Sequence, residues 1–270
     1  MFFFLLLISI LIVIILSVFI IILRKYNNFN YSDLNIEKFI SDCSKNNKLL
    51  AHKVLFIYPH PDDETMATGG LIHKLSQNKK FKIKSITVTS GQKGDELLKL
   101  SPMELSKIRK IELANALNIL KIRDYEVWDF MDGNLKYENR ELKLKLKKTF
   151  EDFKPDLVVT YERFGIYGHP DHIALSKAIN EIYIESPTFK IIYSTISPKA
   201  FKEKKLPLHM AEEKSYPEEP EYKLFINPLN NFVKFKAAKA HKSQSLGGAN
   251  SLELSFIFTW FEYFTTTYKK

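Results

Sequence analysis

Two short polar clusters in the sequence carry residue types that could bind a metal ion. Pro-His-Pro-Asp-Asp-Glu at 59–64 offers one imidazole and three carboxylates, and His-Pro-Asp-His at 169–172 adds two imidazoles and a fourth carboxylate. Nitrogen and oxygen donors without sulfur suit Zn²⁺, or Fe²⁺ held by two histidines and one carboxylate. Three protein ligands with an open position are typical of catalytic sites, whereas structural zinc sites are closed by four.

Each cluster alone has an ordinary explanation. Acidic residues at the start of a helix cap it and interact favourably with its dipole, so the run Asp-Asp-Glu could be a helix N-terminus. His169 and His172 alone could belong to a surface turn. It is the position of both clusters after predicted strands that favours a shared site.

The segments between and around the clusters alternate between strand and helix patterns. Strands are predicted at 54–58, 83–89, 125–130, 156–161, 191–196 and 224–226, and helices at 65–77, 102–120, 139–153, 171–184 and 231–242. This alternation predicts an α/β fold with a mostly parallel sheet and helices on both faces. Ligands of such sheets bind outside the carboxyl ends of the strands, where both clusters fall. Residues 198–221 are predicted to form an exposed loop or lid.

The N-terminus predicts a membrane anchor. Residues 2–23 are apolar except for two serines, and 22 helical residues span about 33 Å, enough for a hydrocarbon core of about 30 Å. A cleaved signal peptide would need a basic start and a small-residue cleavage site, which are missing. Arg24 and Lys25 follow the segment, so the positive-inside rule places the rest of the chain on the cytoplasmic side. The predicted organisation is an anchor at 1–25, a tether at 26–50 and a catalytic domain at 51–270.

Composition excludes several classes of protein. The formal net charge is +9, but no zinc-finger spacing, RNA-binding aromatic signature or basic zipper helix is present, so nucleic acid is not expected as a partner. An anionic membrane face, a phosphorylated substrate or no charged partner at all fits the charge equally well. The single cysteine, Cys43, excludes an internal disulfide.

Three further patterns accompany the two clusters. They are R-x-x-E-x-x-x-A at 109–116, an Asp-Gly turn at 132–133 and A-x-x-x-H-x-S-Q at 237–244. Together with PHPDDE and HPDH they make the chain resemble the zinc-dependent de-N-acetylases of the PIG-L/LmbE-like family over most of residues 53–244. The resemblance implies a Rossmann-like fold and removal of the acetyl group from an N-acetylglucosamine (GlcNAc) conjugate.

The resemblance also implies the roles of the residues that come first in the chemistry. His60, Asp63 and His172 match the family's zinc ligands. Asp62, the first carboxylate of the pair, matches the general base. His169 matches the histidine that, protonated, stabilises the oxyanion.

The remaining matches concern orientation and substrate binding. Asp171 is expected to orient His169, and Tyr167 to help bind the tetrahedral intermediate. Arg109, Asp132 and His241 match substrate-contacting positions. An ordinary explanation stays open for two of them, because Arg109 could be a solvated helix charge and Asp132 a turn residue.

These roles together imply an amide hydrolysis. Zinc can lower the pKa of water to about 7 and polarise a carbonyl. Asp62 would take the proton of the water, and the proton would pass to the leaving amine, releasing acetate.

Two substrate classes compete within the family. GlcNAc-phosphatidylinositol, deacetylated at the cytoplasmic face of the endoplasmic reticulum during GPI-anchor synthesis, suits the predicted anchor and the positive charge. In a bacterium the anchor would lie in the inner or plasma membrane. Soluble conjugates, such as GlcNAc-inositol or GlcNAc-malate of thiol biosynthesis, suit the spelling HPDH at 169–172, since the lipid-linked branch tends to have H-x-N-H there. The sequence slightly favours a membrane-tethered deacetylase.

Two other classes remain as alternatives. A membrane-tethered binding protein with a degenerate site would lack a ligand, yet none of the three is missing. A phosphoesterase would hold two metals about 4 Å apart with more carboxylates than are found here. Metal content per chain, one for a deacetylase, two for a phosphoesterase and zero for a binding protein, separates the three.

Overall fold

A computed structural model describes residues 2–27, 31–41, 51–93, 99–196, 217–244 and 260–268. The chain divides into two units, Met1–Ser32 and Asp33–Lys270. The first unit contains helix α1 (Phe2–Asn27). Over the part of the chain that the structure describes, no helix combines the length and the apolar character that a membrane crossing requires. The predicted transmembrane segment at 2–23, and with it the predicted contact with a lipid bilayer, is therefore not supported.

The remaining elements follow the predicted alternation closely. In chain order they are β1 (Ser32–Asp33), α2 (Ile36–Ser41), β2 (His52–Tyr58), α3 (Asp63–Ser76), β3 (Phe81–Thr89), α4 (Pro102–Ile119), β4 (Tyr125–Phe130), α5 (Asn139–Phe153), β5 (Leu157–Tyr161), α6 (Gly165–Gly168), α7 (Pro170–Glu185), β6 (Lys190–Thr195), β7 (Tyr222–Phe225), α8 (Pro228–Ala238) and β8 (Phe261–Thr265).

The strands form one mixed sheet of eight, in the order β1-β7-β8-β6-β5-β2-β3-β4. Strands β4, β3, β2, β5 and β6 are parallel to one another, as predicted. Strand β8 is antiparallel to both β6 and β7. The sheet is therefore parallel at its centre and antiparallel toward one edge.

Helices cover both faces of the sheet because the buried side chains of β2 alternate. Val54, Phe56 and Tyr58 pack with α3, α4 and α8 on one face. Leu55 and Ile57 pack with α5 and α7 on the other face. The predicted helices on both faces are confirmed.

The centre of the sheet places the two polar clusters side by side. Strands β2 and β5 are neighbours and parallel, in register from Val54 with Leu157 to Phe56 with Val159. The chain winds outward from this pair in both directions, first through β3 and β4 and later through β6. This is the switch point at which ligands bind in open parallel sheets, and both clusters follow its strands.

Two other predictions have different outcomes. Most of the predicted loop at 198–221 lies outside the described residues. The sequence of residues 256–268 is rich in aromatic residues, which predicts either a position at a membrane interface or packing against the domain core. Its described part includes β8, which is buried between β6 and β7, so this part packs against the domain.

Candidate active site

A tight turn between β2 and α3 brings the first cluster together. The backbone N–H of His60 donates to Asp63 Oδ2 at 2.9 Å, and that of Asp62 donates to Glu64 Oε2 at 3.1 Å. Asp62 itself has φ 105°, a backbone conformation that L-residues rarely adopt. Such strain concentrates at functional sites, where the surrounding contacts maintain it.

The three predicted metal ligands meet at this turn. Asp63 lies between the two histidines, with Oδ2 3.2 Å from His60 Nδ1 and Oδ1 3.4 Å from His172 Nε2. All three residues are buried. Ligand atoms bound at about 2.0–2.2 Å to a tetrahedral ion lie about 3.3–3.6 Å from one another. Each contact of Asp63 with a histidine is close to this spacing, with a different carboxylate oxygen in each contact.

The donor atoms of His172 support the same conclusion. The residue is 1% exposed, and neither of its ring nitrogens forms a hydrogen bond with any described residue. Burial lowers the pKa of His172 to about 3, so the ring is neutral, which is the form that binds a metal. A buried imidazole without partners is costly unless a ligand satisfies it.

Among the described residues, two groups of three donors have ligand atoms that all lie within 4.8 Å of one another, and Asp63 belongs to neither. One is His60, His169 and His172, and the other is His60, Asp132 and Asp171. His60 belongs to both, but its two nitrogens face different neighbours. Nε2 lies 3.1 Å from Asp132 Oδ1 and 3.1 Å from Asp171 Oδ2. A metal-binding histidine commonly donates its other N–H to a carboxylate, so these contacts leave Nδ1 as the metal ligand.

The same carboxylates change the protonation of their neighbours. Although burial disfavours the imidazolium, hydrogen bonds with Asp132, Asp171 and Asp63 hold the pKa of His60 well above its ordinary value. The pKa of Asp132 falls to about 2, because contact with His60 outweighs its burial.

Asp62 and Arg109 form a second part of the site. Burial raises the pKa of Asp62 to about 6, and the nearby Arg109 opposes this rise. Arg109 Nη2 lies 3.5 Å from Asp62 Oδ2 and donates to Pro61 O at 2.6 Å, while Nη1 donates to Gly91 O at 2.9 Å. Arg109 is 4% exposed, which excludes a solvated helix charge.

His169 is the N-cap residue of α7 and lies beside the two histidines that are predicted to bind the metal. Its ring lies 4.6 Å from that of His60 and 4.7 Å from that of His172. Its Nδ1 accepts the backbone N–H of Asp171 at 3.2 Å, which leaves Nε2 to carry the ring proton. Burial lowers the pKa of His169, so the neutral Nε2–H form fits the geometry better than the protonated ring predicted from the sequence. Tyr167 lies edge-on to His169 with the ring centroids 6.1 Å apart.

The sequence predicts that Asp171 orients His169, but the Asp171 carboxylate has other partners. Besides contacting His60, it accepts the backbone N–H of Gly133 at 2.6 Å and that of Leu135 at 3.2 Å. The Asp171 carboxylate therefore connects the turn after β4 to His60, a predicted metal ligand. Asp171 contacts His169 through its backbone N–H, which donates to His169 Nδ1.

The other predicted substrate-binding residues line the site from inside the protein. Asp132 is 6% exposed and accepts the backbone N–H of Lys93 at 2.9 Å, so it is more than a turn residue. His241 is fully buried, with Nε2 3.3 Å from Glu64 Oε1. Direct contact of Arg109, Asp132 and His241 with a substrate stays a prediction.

Two residues that the sequence analysis did not single out belong to the site. Tyr161 donates its hydroxyl to Asp63 Oδ1 at 2.9 Å and stacks on His172 with the ring centroids 4.3 Å apart. Glu64 holds the Asp62 N–H and contacts His241. Their positions in the sequence are the signal that could have indicated a role in the site, since Tyr161 ends a buried strand and Glu64 ends the first cluster.

Comparison with known proteins shows a family to which the segment with these site residues is similar. Residues 55–183 match the family model described as "PIG-L: GlcNAc-PI de-N-acetylase", and this stretch contains both polar clusters. The chain carries a PIG-L/LmbE-like domain. Its fold resembles N,N'-diacetylchitobiose deacetylase from Pyrococcus horikoshii, with a TM-score of 0.62 and 24% identity over 89% of this chain and 95% of that one. At this identity the likeness concerns the fold alone.

Two relatives share sequence with the PIG-L/LmbE-like domain. One, named as a probable N-acetyl-alpha-D-glucosaminyl L-malate deacetylase 2 of Bacillus anthracis, is 32% identical over 51% of this chain and 62% of its own length. The other, a 1D-myo-inositol 2-acetamido-2-deoxy-alpha-D-glucopyranoside deacetylase of Kineococcus radiotolerans, is 27% identical over 47% of this chain and 43% of its own length. The chain thus spans less than two thirds of each of these relatives.

Proposed function

We propose that the PIG-L/LmbE-like domain is a metal-dependent hydrolase that removes the acetyl group from a GlcNAc conjugate. The observation that carries this proposal is the meeting of His60, Asp63 and His172 at the carboxyl ends of β2 and β5, with Asp62 and His169 beside them. Both relatives described above are named as deacetylases of GlcNAc conjugates.

In this proposal zinc is the resident metal, held by His60, Asp63 and His172. Zinc supplies Lewis acidity to an amide carbonyl and makes water more acidic. The open coordination that such chemistry needs follows from three protein ligands. Fe²⁺ would fit the same donors.

The chain's own residues perform the proton transfers. Asp62 accepts the proton of the attacking water, because its carboxylate lies beside the ligands and its elevated pKa makes it a stronger base than an ordinary aspartate. Arg109 restrains Asp62 in that position. His169 donates a hydrogen bond from its Nε2–H to the developing oxyanion, and Tyr167 packs beside it. The proton taken up by Asp62 passes to the leaving amine as the C–N bond breaks, so that acetate and the free amine are released.

We infer that the second part of the substrate is a small polar group such as malate or inositol. The names of the two relatives support this alternative better than the membrane-tethered interpretation that the sequence analysis favoured. GlcNAc-phosphatidylinositol is less well supported, because neither relative is named for a lipid-linked conjugate. The placement of residues 24–270 on the cytoplasmic side remains a prediction from the sequence alone.

Acetate release from three substrates tests the proposal. The purified full-length chain, loaded with zinc, is assayed with GlcNAc-malate, GlcNAc-inositol and GlcNAc-phosphatidylinositol. Zinc-dependent release that is fastest with a soluble conjugate is expected. Faster release from the lipid conjugate would reject the substrate class. No release from any of them, with no zinc bound, would reject the function.

A further inference from the structure

A strained backbone turn lies directly before the catalytic histidine His169. Ile166 has φ 65° and ψ −64°, which is the rare positive-φ form of a γ-turn. Such a conformation is strained for any L-residue and particularly so for a β-branched one. The turn comes one residue before Tyr167 and three before His169. Its geometry therefore sets where both side chains lie.

A buried carboxylate holds this turn from inside the protein. Glu162 is fully buried, and its Oε1 accepts the backbone N–H of Ile166 at 2.7 Å. Its Oε2 accepts the N–H of Phe164 at 2.8 Å and that of Glu218 at 3.3 Å. Two backbone donors of the loop after β5 and one from the segment before β7 thus share one carboxylate.

The turn also packs tightly against a predicted metal ligand. A Cβ added to Gly165 would lie 2.6 Å from Cβ of His172. Gly165 has φ 60°, so both its conformation and the space around it require glycine. The absence of a side chain at Gly165 therefore sets how closely the loop approaches α7.

We propose that Glu162 is a positioning residue for the reaction, which holds the strained turn at Ile166 and thereby places Tyr167 and His169 in the site. This inference rests on the proposed function, because His169 is assigned its role there. Glu162 itself contacts backbone N–H groups of the loop, so it acts through the loop rather than on the substrate. A strained turn persists because surrounding contacts stabilise it. A turn with glycine at 166 would need no such contacts, because glycine adopts positive φ without steric cost.

A double-mutant cycle with acetate release as the readout tests this relationship. Glu162→Ala is expected to lower kcat roughly tenfold to a hundredfold, with KM changed less than about threefold, because catalytic groups misplaced by about 1 Å lose rate of this order. In the Ile166→Gly background the same change is expected to lower kcat less than about threefold. Glu162→Gln keeps one acceptor oxygen, so its kcat should lie between those of the wild type and Glu162→Ala.

Controls separate positioning from folding. Metal content should stay at the wild-type value in every variant, because the predicted ligands are unchanged. Glu221→Ala removes another carboxylate that accepts a backbone N–H, that of Thr266 at 2.9 Å. Glu221 directly precedes β7, in the antiparallel part of the sheet. Glu221→Ala should leave kcat unchanged. A loss in Glu162→Ala that is equally large in both backgrounds would show a merely structural role and overturn the inference.

Amide hydrogen exchange distinguishes failure of this inference from failure of the proposed function. In the metal-loaded full-length protein, the Ile166 amide should exchange at least about tenfold faster in Glu162→Ala than in the wild type, with strand amides unchanged. This result needs no turnover, so it holds even if no conjugate releases acetate. An unchanged exchange rate at Ile166 would overturn the inference whatever the activity.

Discussion

Glu112 accepts two hydrogen bonds from Ser243, one from the backbone N–H at 2.7 Å and one from the hydroxyl at 2.6 Å. The two residues are 131 positions apart, and their contact joins α4 to the segment after α8. Arg109 lies one turn before Glu112, and His241 lies two residues before Ser243. The contact therefore fixes the separation of two residues that the sequence predicts to face the substrate.

Ser243→Ala should destabilise the protein. It removes one hydrogen bond from a buried carboxylate, and the expected loss is about 1–3 kcal/mol in the free energy of unfolding. Urea unfolding of the two proteins measures this difference. Ser186→Ala, at an exposed serine after α7, serves as the control and should change stability by less than about 0.5 kcal/mol. Equal effects of the two changes would contradict the structural role of the Glu112 contact.

Gly91→Ala should cost more stability and activity than the same change at another positive-φ glycine. Gly91 has φ 64°, and a Cβ there would lie 2.3 Å from Arg109 Nη1, so the guanidinium beside Asp62 must move. Gly133 has φ 77°, but the nearest atoms to a Cβ there belong to the flexible side chain of Lys93, whose Nζ would lie 3.2 Å from it. Both variants share a backbone cost of about 1 kcal/mol. Thermal unfolding and kcat should both show the larger loss for Gly91→Ala, and equal losses would contradict the clash.

Metal retention should separate Asp63 from His169. His169 forms one close group of donors with His60 and His172, whereas Asp63 contacts these two histidines through its carboxylate oxygens, and the proposed function assigns the metal to Asp63. Asp63→Ala should therefore reduce bound zinc to well below one ion per chain, while His169→Ala keeps it. Elemental analysis after dialysis measures both. The opposite pattern would assign His169 as a ligand and remove it from its proposed role with the oxyanion.

The position of the site could be predicted from sequence because it follows local rules. A short buried strand that ends at Tyr58, directly before Pro59, and a second that ends at Tyr161 place both polar clusters at one edge of a parallel sheet. These are the features that the structure reproduces most closely. The alternation of apolar residues along β2 likewise predicts helices on two faces.

Long-range contacts could not be predicted in the same way. Strand β8 pairs with β6 through Tyr193 and Thr265, and nothing in the local pattern of an aromatic-rich segment specifies an antiparallel partner so far along the chain. The direction of the Asp171 carboxylate depends on the turn after β4, which supplies two backbone N–H groups. Tyr161 was missed as a site residue for a similar reason, since its contact with Asp63 follows from the pairing of β2 with β5.

The most direct test of the account measures bound zinc and acetate release together in the wild type and in Asp62→Asn. Asparagine keeps the size of the side chain but cannot accept the proton of the attacking water, and none of the three proposed metal ligands is altered. The account predicts one zinc ion per chain in both proteins and a kcat that is lower in Asp62→Asn by roughly a hundredfold to ten-thousandfold, the usual contribution of general base catalysis. Wild-type turnover in Asp62→Asn, with zinc retained, would contradict it.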